Sequence, residues 1–248
     1  MPHEANEPVI DAQRDPRMKF SVMWFIQAHE GRRKSPREST EQLWNRLLLP
    51  MQPRPKRILE LGLAEGRSTM WLLQNLKPDL WVGVDPWFPD RRYHKEQFDM
   101  WKANFFHNIR TLAEANGVGL VTRDGNKNSI QIGTSHCTQV CRSSQEYLLG
   151  EIDKDFPGQP FDMAYVDAAH GALEAMADMI HAWRKLIPGG LMLIDDFDRR
   201  WHNARPHCHE AIKAFWTIVE HNAHKLAITD ATTGYENKRQ VWIRKRCN

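Results

Sequence analysis

Short apolar runs alternate with longer segments of helical periodicity from residue 57 onward. Nearly continuous apolar runs of this length are typical of parallel strands that are buried on both faces. The pattern therefore predicts an α/β protein with a mostly parallel sheet and helices packed on it. The four clearest runs are RILELG (57–62), LWVGVD (80–85), FDMAYVD (161–167) and LMLIDD (191–196).

One connecting helix has a clear apolar stripe between the third and fourth runs. Its apolar residues recur at helical spacing, and PGG (188–190) provides a stop signal. We expect this stripe to face the sheet, through Leu173, Met176, Ile180, Trp183 and Ile187.

The C-terminal segments 225–231 and 239–245 predict an antiparallel strand pair that closes the sheet, because TTGYEN between them carries a turn signal. Between residues 117 and 160, both 119–125 and 138–142 are strand-like, and one of them is needed as the third core strand. We favour 138–142, because a helix-like segment follows it directly. The other segment then belongs to an insertion near 117–137, interpreted as a hairpin through DGNKNS.

The N-terminal residues 1–50 predict an extension that packs on the core as a helical cap. It contains a loose lead-in and a helix from about Ser39, where Ser or Thr can cap. Residues 51–248 are then assigned to a single α/β domain, a size that suits the chain of 248 residues.

Composition and charge argue against several classes of protein. The net charge of +3 does not favour nucleic-acid binding. No apolar run approaches the roughly 20 residues of a membrane span. Four cysteines in a chain of this length do not predict a disulfide framework, so a reducing, cytoplasmic location is expected. A zinc site is not expected, because no CxxC spacing joins the candidate ligands His136, Cys137, Cys141, His207 and His209.

A glycine loop follows the first strand and reads ExGxxxGxS, with Glu60, Gly62, Gly66 and Ser68. Glycines allow a ligand to approach the backbone, and the next helix offers free N–H groups. A tight turn that binds nothing is the alternative. The loop lacks the GxGxxG spacing of nicotinamide-binding proteins, and an acid at the strand end would repel a pyrophosphate.

Acidic residues end all four strands. Ligands of an open α/β sheet bind beyond the carboxyl ends of its strands, and Asp85 at the tip of the second strand is placed to accept the hydroxyls of a ribose. Like charges at one edge raise each other's pKa, so a cation is expected among Glu60, Asp85, Asp167 and Asp195.

The oxygen ligands favour Mg²⁺, with Mn²⁺ or Ca²⁺ as alternatives. Asp195 and Asp196 are adjacent and point to opposite faces in a regular strand, so both reach one metal only if the strand ends there. Carboxylates that cap nearby helices are the structural alternative.

The order and spacing of these motifs resemble a class I S-adenosylmethionine-dependent methyltransferase. They are most similar to the metal-dependent small-molecule O-methyltransferases, namely the catechol O-methyltransferase-like group and the sugar O-methyltransferases of antibiotic biosynthesis. The resemblance covers about residues 55–200 and the closing strand pair. It implies a Rossmann-like class I methyltransferase fold, with a mostly parallel seven-stranded sheet, an antiparallel C-terminal strand pair and a helical N-terminal extension.

The resemblance also implies roles for individual residues. Asp167, with His170 as the general base, would form the catalytic pair. In the family an aspartate often lies at the adenine, and it is missing beside Ser143 and Ser144, so Asp124 is the competing candidate if 119–125 is the core strand. The implied metal ligands are Asp167, Asp195 and Asp196, and the implied cofactor-binding residues are Glu60, Gly62, Ser68, Asp85, Ser143, Ser144 and Asp167.

The expected reaction is methyl transfer from S-adenosylmethionine to a hydroxyl of a small molecule, assisted by Mg²⁺. The acceptor would be a sugar, a sugar-bearing natural product or a catechol-like ring, and neither nucleic acid nor membrane is an expected partner. His202, Arg205 and His207 either contact this acceptor or lie in a solvated loop. A homo-oligomer is compatible with the sequence, which does not set the oligomeric state. The alternatives are a nicotinamide-dependent oxidoreductase and a non-catalytic module that binds S-adenosylmethionine.

Overall fold

A computed structural model describes residues 15–21, 40–88, 94–116, 121–158, 160–169, 171–195, 206–228 and 240–247. Four residues with predicted roles, His170, Asp196, His202 and Arg205, lie outside these ranges. For His207 only the backbone is described.

The centre of the fold is a nine-stranded sheet with the order β3-β4-β5-β2-β1-β6-β7-β9-β8. Its strands are β1 (Arg57–Leu61), β2 (Leu80–Val84), β3 (Val121–Asp124), β4 (Lys127–Ile132), β5 (Ser135–Val140), β6 (Phe161–Val166), β7 (Leu186–Ile194), β8 (Ala223–Ile228) and β9 (Val241–Lys245).

The described helices lie between these strands or before them. They are α1 (Thr40–Leu47), α2 (Arg67–Trp71), α3 (Lys95–Ala115), α4 (Ser144–Glu146), α5 (Ile152–Asp155), α6 (Ala172–Lys185) and α7 (Pro206–Val219). Wider turns continue α2 to Leu76 and join α4 to α5. Within the described ranges, none of the helices combines the length and the apolar character that a bilayer crossing requires.

Seven strands form the predicted core, and their pairing confirms the prediction. Strands β5, β2, β1, β6 and β7 are parallel, whereas β9 runs antiparallel to β7 and β8 antiparallel to β9. The sheet has nine strands rather than seven because the predicted hairpin, β3–β4, pairs with the edge of β5. The third core strand is therefore β5, which overlaps the favoured segment 138–142.

Two buried apolar layers hold the sheet between helices. Side chains of α1, α2 and α3 cover one face, including Trp44, which packs edge-on against Tyr165 of β6 with ring centroids 5.0 Å apart. Side chains of α6 and α7 cover the other face. Each large apolar side chain that is fully buried contributes roughly 1.5–3 kcal/mol.

The predicted apolar stripe of α6 is wrong in part: Met176 and Trp183 pack against the core, but Leu173 and Ile180 do not face the sheet. Leu173 is 82% exposed and Ile180 is 36% exposed. The fully buried face carries two alanines, one methionine and one acid, Asp178, instead. The buried residues of α6 are Ala175, Asp178, Met179 and Ala182.

The stop signal PGG (188–190) also differs from its predicted position. The helix ends at Lys185, and the three residues lie inside β7. They form an irregularity, since Phe161 pairs with Leu186 and Met163 pairs with Leu191.

The predicted N-terminal helix begins at Thr40, one residue after Ser39. Its Trp44 is fully buried, and the indole N–H donates to Gln240 at 2.8 Å, just before β9. This helix therefore packs on the sheet.

Candidate functional site

The glycine loop between β1 and α2 needs glycine at two positions with left-handed backbone, Gly62 (φ +85°) and Gly66 (φ +81°). A Cβ atom at Gly62 would lie 1.9 Å from the carbonyl oxygen of Asp167. The loop after β1 and the loop after β6 are therefore in direct contact, and any side chain at Gly62 would separate them.

Glu60 at the end of β1 is fully buried and has three side-chain donors. Ser68 Oγ donates to one carboxylate oxygen, while Thr69 Oγ1 (2.9 Å) and Trp81 Nε1 (2.8 Å) donate to the other. Burial raises the pKa of Glu60 to about 7, although these hydrogen bonds act in the opposite direction. The described partners of Glu60 are thus internal, and its contact with a cofactor stays a prediction.

Asp85 follows β2 and binds the backbone of the glycine loop. Its Oδ2 accepts from the N–H groups of Leu63 (2.8 Å) and Ala64 (3.0 Å), and Oδ1 accepts from Trp87 N–H (2.7 Å). Burial raises the pKa of Asp85, and the three backbone donors lower it. These donors use three of roughly four acceptor positions on a carboxylate, which leaves room for one hydroxyl donor.

Asp167 and Asp195 are brought together by the buried phenol of Tyr165. The Tyr165 hydroxyl lies 2.9 Å from Asp195 Oδ2 and 3.2 Å from Asp167 Oδ2. Burial and the two carboxylates raise the pKa of Tyr165 well above its ordinary value, so the phenol is a donor here. A small cleft lies beside the pair and is otherwise lined by apolar side chains such as Met179 and Ile212.

The chemistry of this pair suits a hard divalent cation, because both side chains are carboxylates and both lie within hydrogen-bond distance of one oxygen, the Tyr165 hydroxyl. In the described part of the chain, no three His, Cys, Asp or Glu side chains are grouped as a metal site. The predicted third ligand, Asp196, lies outside that part, as does the predicted base, His170.

The two serines after β5 have different partners. Ser143 caps α4 by accepting from the Glu146 N–H at 3.3 Å. Ser144 is buried and donates to Asp178 of α6. Asp124 is the last residue of β3, directly before the hairpin turn, and pairs with Lys127 of β4, so β4 lies between it and β5, the third core strand. The segment after that strand therefore contains Ser143 and Ser144 rather than Asp124.

Residues 15–21 pack on the glycine loop and α3, and we call them the N-terminal strap. Asn108 of α3 accepts from Lys19 N–H (2.7 Å) and donates to Lys19 O (2.8 Å) and Glu65 O (3.0 Å). The carboxylate of Glu65 accepts from the backbone N–H and the hydroxyl of Ser21, and from Asn104.

Sequence reasoning missed four of these buried polar residues: Tyr165, Glu65, Asn108 and Asp178. Asp178 alone carried a signal, since it interrupts a face of α6 that is otherwise apolar. The partners of the other three come from distant segments, and no local pattern indicates them.

Comparison with known proteins gives a family and a fold. A family model described as "Methyltransferase domain" matches residues 59–197. No curated protein matches the chain by sequence.

Three solved structures illustrate the likeness in fold. The O-methyltransferase from Bacillus cereus in complex with SAH has a TM-score of 0.50 and 14% identity, over 78% of this chain and 74% of that chain. A candidate methyltransferase from Streptococcus mutans in complex with SAH has a TM-score of 0.51 and 10% identity, over 83% and 97%. A candidate rRNA methylase from Clostridium thermocellum has a TM-score of 0.50 and 13% identity, over 77% and 88%. The predicted Rossmann-like methyltransferase fold is thereby confirmed.

Proposed function

Because the chain belongs to the methyltransferase-domain family, we propose that it transfers a methyl group from S-adenosylmethionine to a hydroxyl of a small molecule. The observation that carries the proposal is the contact between two loops at the carboxyl edge of the sheet. The glycine loop, held by Asp85, touches the loop that begins with Asp167. A cofactor in the first loop would thus present its methyl group near the carboxylates of the second.

The proposed binding mode divides the cofactor between three segments. The methionine part lies on the glycine loop, the ribose donates a hydroxyl to the remaining acceptor position of Asp85, and the adenine lies against the segment after β5. The positive sulfonium favours an edge that is rich in carboxylates. Complexes of the B. cereus and S. mutans proteins with SAH support this choice of cofactor.

The proposed chemistry is a displacement at carbon. The acceptor oxygen forms a bond to the methyl carbon while the S–C bond breaks, and the hydroxyl proton passes to His170 as the general base. Asp167, Asp195 and Asp196 would hold Mg²⁺, or Mn²⁺ or Ca²⁺, and a cation there would favour the ionised form of the acceptor hydroxyl. A sugar, a sugar-bearing natural product or a catechol-like ring offers neighbouring oxygens for such a site.

Calorimetric titration with S-adenosylmethionine tests the cofactor. We expect micromolar affinity, equivalent to about −8 kcal/mol, and clear weakening in Asp85→Ala. Asp79→Ala is the matched control, because this exposed aspartate lies at the other end of the same strand, beside Lys56. Equal affinity in wild type and Asp85→Ala would remove Asp85 from the site, and no binding to the wild type would reject the proposed function.

Transfer of labelled methyl groups to catechol and sugar acceptors tests the reaction. We expect turnover that stops in excess EDTA and returns with Mg²⁺, and a rate lowered ~10²–10⁴-fold in His170→Ala. Full turnover in EDTA would show that the reaction does not need a metal. A near-normal rate in His170→Ala would show that His170 is not the general base.

Two rival functions give different results in these assays. A nicotinamide-dependent oxidoreductase would bind NAD rather than S-adenosylmethionine. A non-catalytic module would bind S-adenosylmethionine without any transfer of the label.

A further inference from the structure

Asp178 is an acid in an unusual position. It is fully buried on the sheet-facing side of α6, among Ala175, Met179 and Ala182. A buried carboxylate costs several kcal/mol unless it is hydrogen-bonded, whereas an apolar side chain could fill the same space. The position is therefore better explained by what the carboxylate binds than by packing.

The two carboxylate oxygens of Asp178 bind two different loops. Oδ1 accepts from Ser144 Oγ at the start of α4, and Oδ2 lies 3.4 Å from the backbone N–H of Ala169. Burial raises the pKa of Asp178 to about 6, and both donors act in the opposite direction. Each donor therefore favours the charged carboxylate.

Both loops belong to the proposed site. Ser144 lies in the segment proposed for adenine, after the third core strand. Ala169 lies two residues after Asp167 and directly before His170, and the Asp167 carbonyl touches the glycine loop at Gly62. A chain of direct contacts thus leads from the adenine segment through Asp178 to the loop with the proposed base.

We infer that Asp178 is a positioning residue, which sets the adenine segment and the Asp167 loop relative to each other and thereby controls cofactor affinity and the rate of transfer. The inference rests on the proposed function. Asp178 itself touches neither the cofactor nor the acceptor.

Two substitutions separate the two sides of this link. Ser144→Ala removes the donor of the adenine side and leaves Ala169 in place. Asp178→Asn removes the charge that both donors favour and leaves one acceptor oxygen, so the Ser144 hydroxyl and the Ala169 N–H can no longer both donate to residue 178. Asp153→Asn is the matched control, since this exposed acid on α5 also contacts α6, through Lys185, but lies outside the site.

The experiment measures the Kd of S-adenosylmethionine and of adenosine by calorimetry, and kcat with the best acceptor. We expect each variant to raise the Kd of S-adenosylmethionine roughly tenfold, as for the loss of one hydrogen bond to a charged group. Ser144→Ala should raise the Kd of adenosine as well. Asp178→Asn should also lower kcat. The double variant Ser144→Ala/Asp178→Asn should bind S-adenosylmethionine no more weakly than the weaker-binding single variant, because both substitutions act on one hydrogen-bond network. Asp153→Asn should match the wild type.

A Kd within about twofold of the wild type in both variants, even with a lower melting temperature, would overturn the inference and leave Asp178 a purely structural role. Ser144→Ala provides the test if Asp178→Asn does not fold. Failure of the proposed function gives a different result, because the wild type itself would then not bind S-adenosylmethionine, and the inference would fall with it.

Discussion

At the scale of single residues, the carboxylates at this edge of the sheet are held by partners inside the protein. Glu60 has three side-chain donors, Asp85 has three backbone donors, and Asp195 has the phenol of Tyr165. Desolvation opposes the charge of a buried acid, and these donors favour it. The balance between desolvation and hydrogen bonding can be measured at Glu60, where desolvation has the larger effect on the pKa.

We expect Glu60→Gln to flatten the dependence of stability on pH. The pKa of Glu60 is about 7 in the folded protein and near 4.5 without burial, so the folded state binds the proton more tightly. The stabilisation is present below about pH 4.5 and is lost as the pH rises through about 7. The wild type should lose up to about 1 kcal/mol of unfolding free energy per pH unit in this window.

Urea unfolding at about pH 5, 6, 7 and 8 measures this slope. Glu114→Gln, at an exposed position of α3, should keep the slope of the wild type. A slope that persists in Glu60→Gln would show that other groups cause it.

Tyr165→Phe is expected to weaken the proposed metal site. The variant keeps the ring against Trp44 and removes the hydroxyl between Asp167 and Asp195. Loss of a hydrogen bond that orients a ligand typically lowers metal affinity ~10–100-fold. Titration with Mn²⁺, followed by electron paramagnetic resonance, reports this affinity without any turnover. An unchanged Kd for Mn²⁺ would mean that the phenol does not orient the pair.

At the scale of elements, segments far apart in sequence are joined by single buried side chains. Asn108 of α3 binds both the N-terminal strap and the glycine loop, and Asp178 joins α6 to two loops. Such links do not follow from the strands and helices alone, since hydrophobic periodicity contains no information about them.

Asn108→Ala should loosen the strap and destabilise the protein. The substitution leaves the backbone of Lys19 and the carbonyl of Glu65 without this partner, which costs about 1–3 kcal/mol. Trypsin should then cleave sooner after Arg17 and Lys19, and urea unfolding should give the loss of stability. Asn116→Ala, at the exposed end of the same helix, should leave the cleavage rate unchanged, because the side chain of Asn116 bonds to Leu112 O of its own helix and not to the strap. Equal cleavage rates in wild type and Asn108→Ala would show that Asn108 does not hold the strap.

The sequence predicted the elements better than their orientation. All four clear apolar runs are strands, and the hairpin and the C-terminal pair are present. The orientation of α6 was wrong in part, because Leu173 and Ile180 fit a helical stripe as well as Ala175 and Met179 do. Packing in the folded protein decides between the two stripes, and it buries Ala175 and Met179.

At the scale of the whole molecule, the order β5-β2-β1-β6-β7 places the change of winding direction between β1 and β6. Ligands of open α/β sheets bind in the crevice at that point. The loops that follow these two strands carry the glycines and Asp167, so the topology itself favours the proposed site.

S-adenosylmethionine should therefore stabilise the whole fold. At about 100 times its Kd, a ligand of the folded state adds about 2.7 kcal/mol, which raises the Tm of a chain of this size by about 5–10 °C. A thermal-shift assay measures the effect, with NAD as the comparison ligand. A shift with NAD and none with S-adenosylmethionine would favour the oxidoreductase alternative.

The sequence by itself determined which segments form the core and which acids end its strands. Both properties are local: an apolar run of strand length is buried wherever it lies in a sheet, and an acid at its end reaches the carboxyl edge. Tertiary structure alone decided the partners of those acids, the rotation of α6 and the position of the strap. Tyr165 meets Asp195, Ser144 meets Asp178 and Ser21 meets Glu65 only because folding brings distant segments together, and buried polar groups must then find donors or acceptors there.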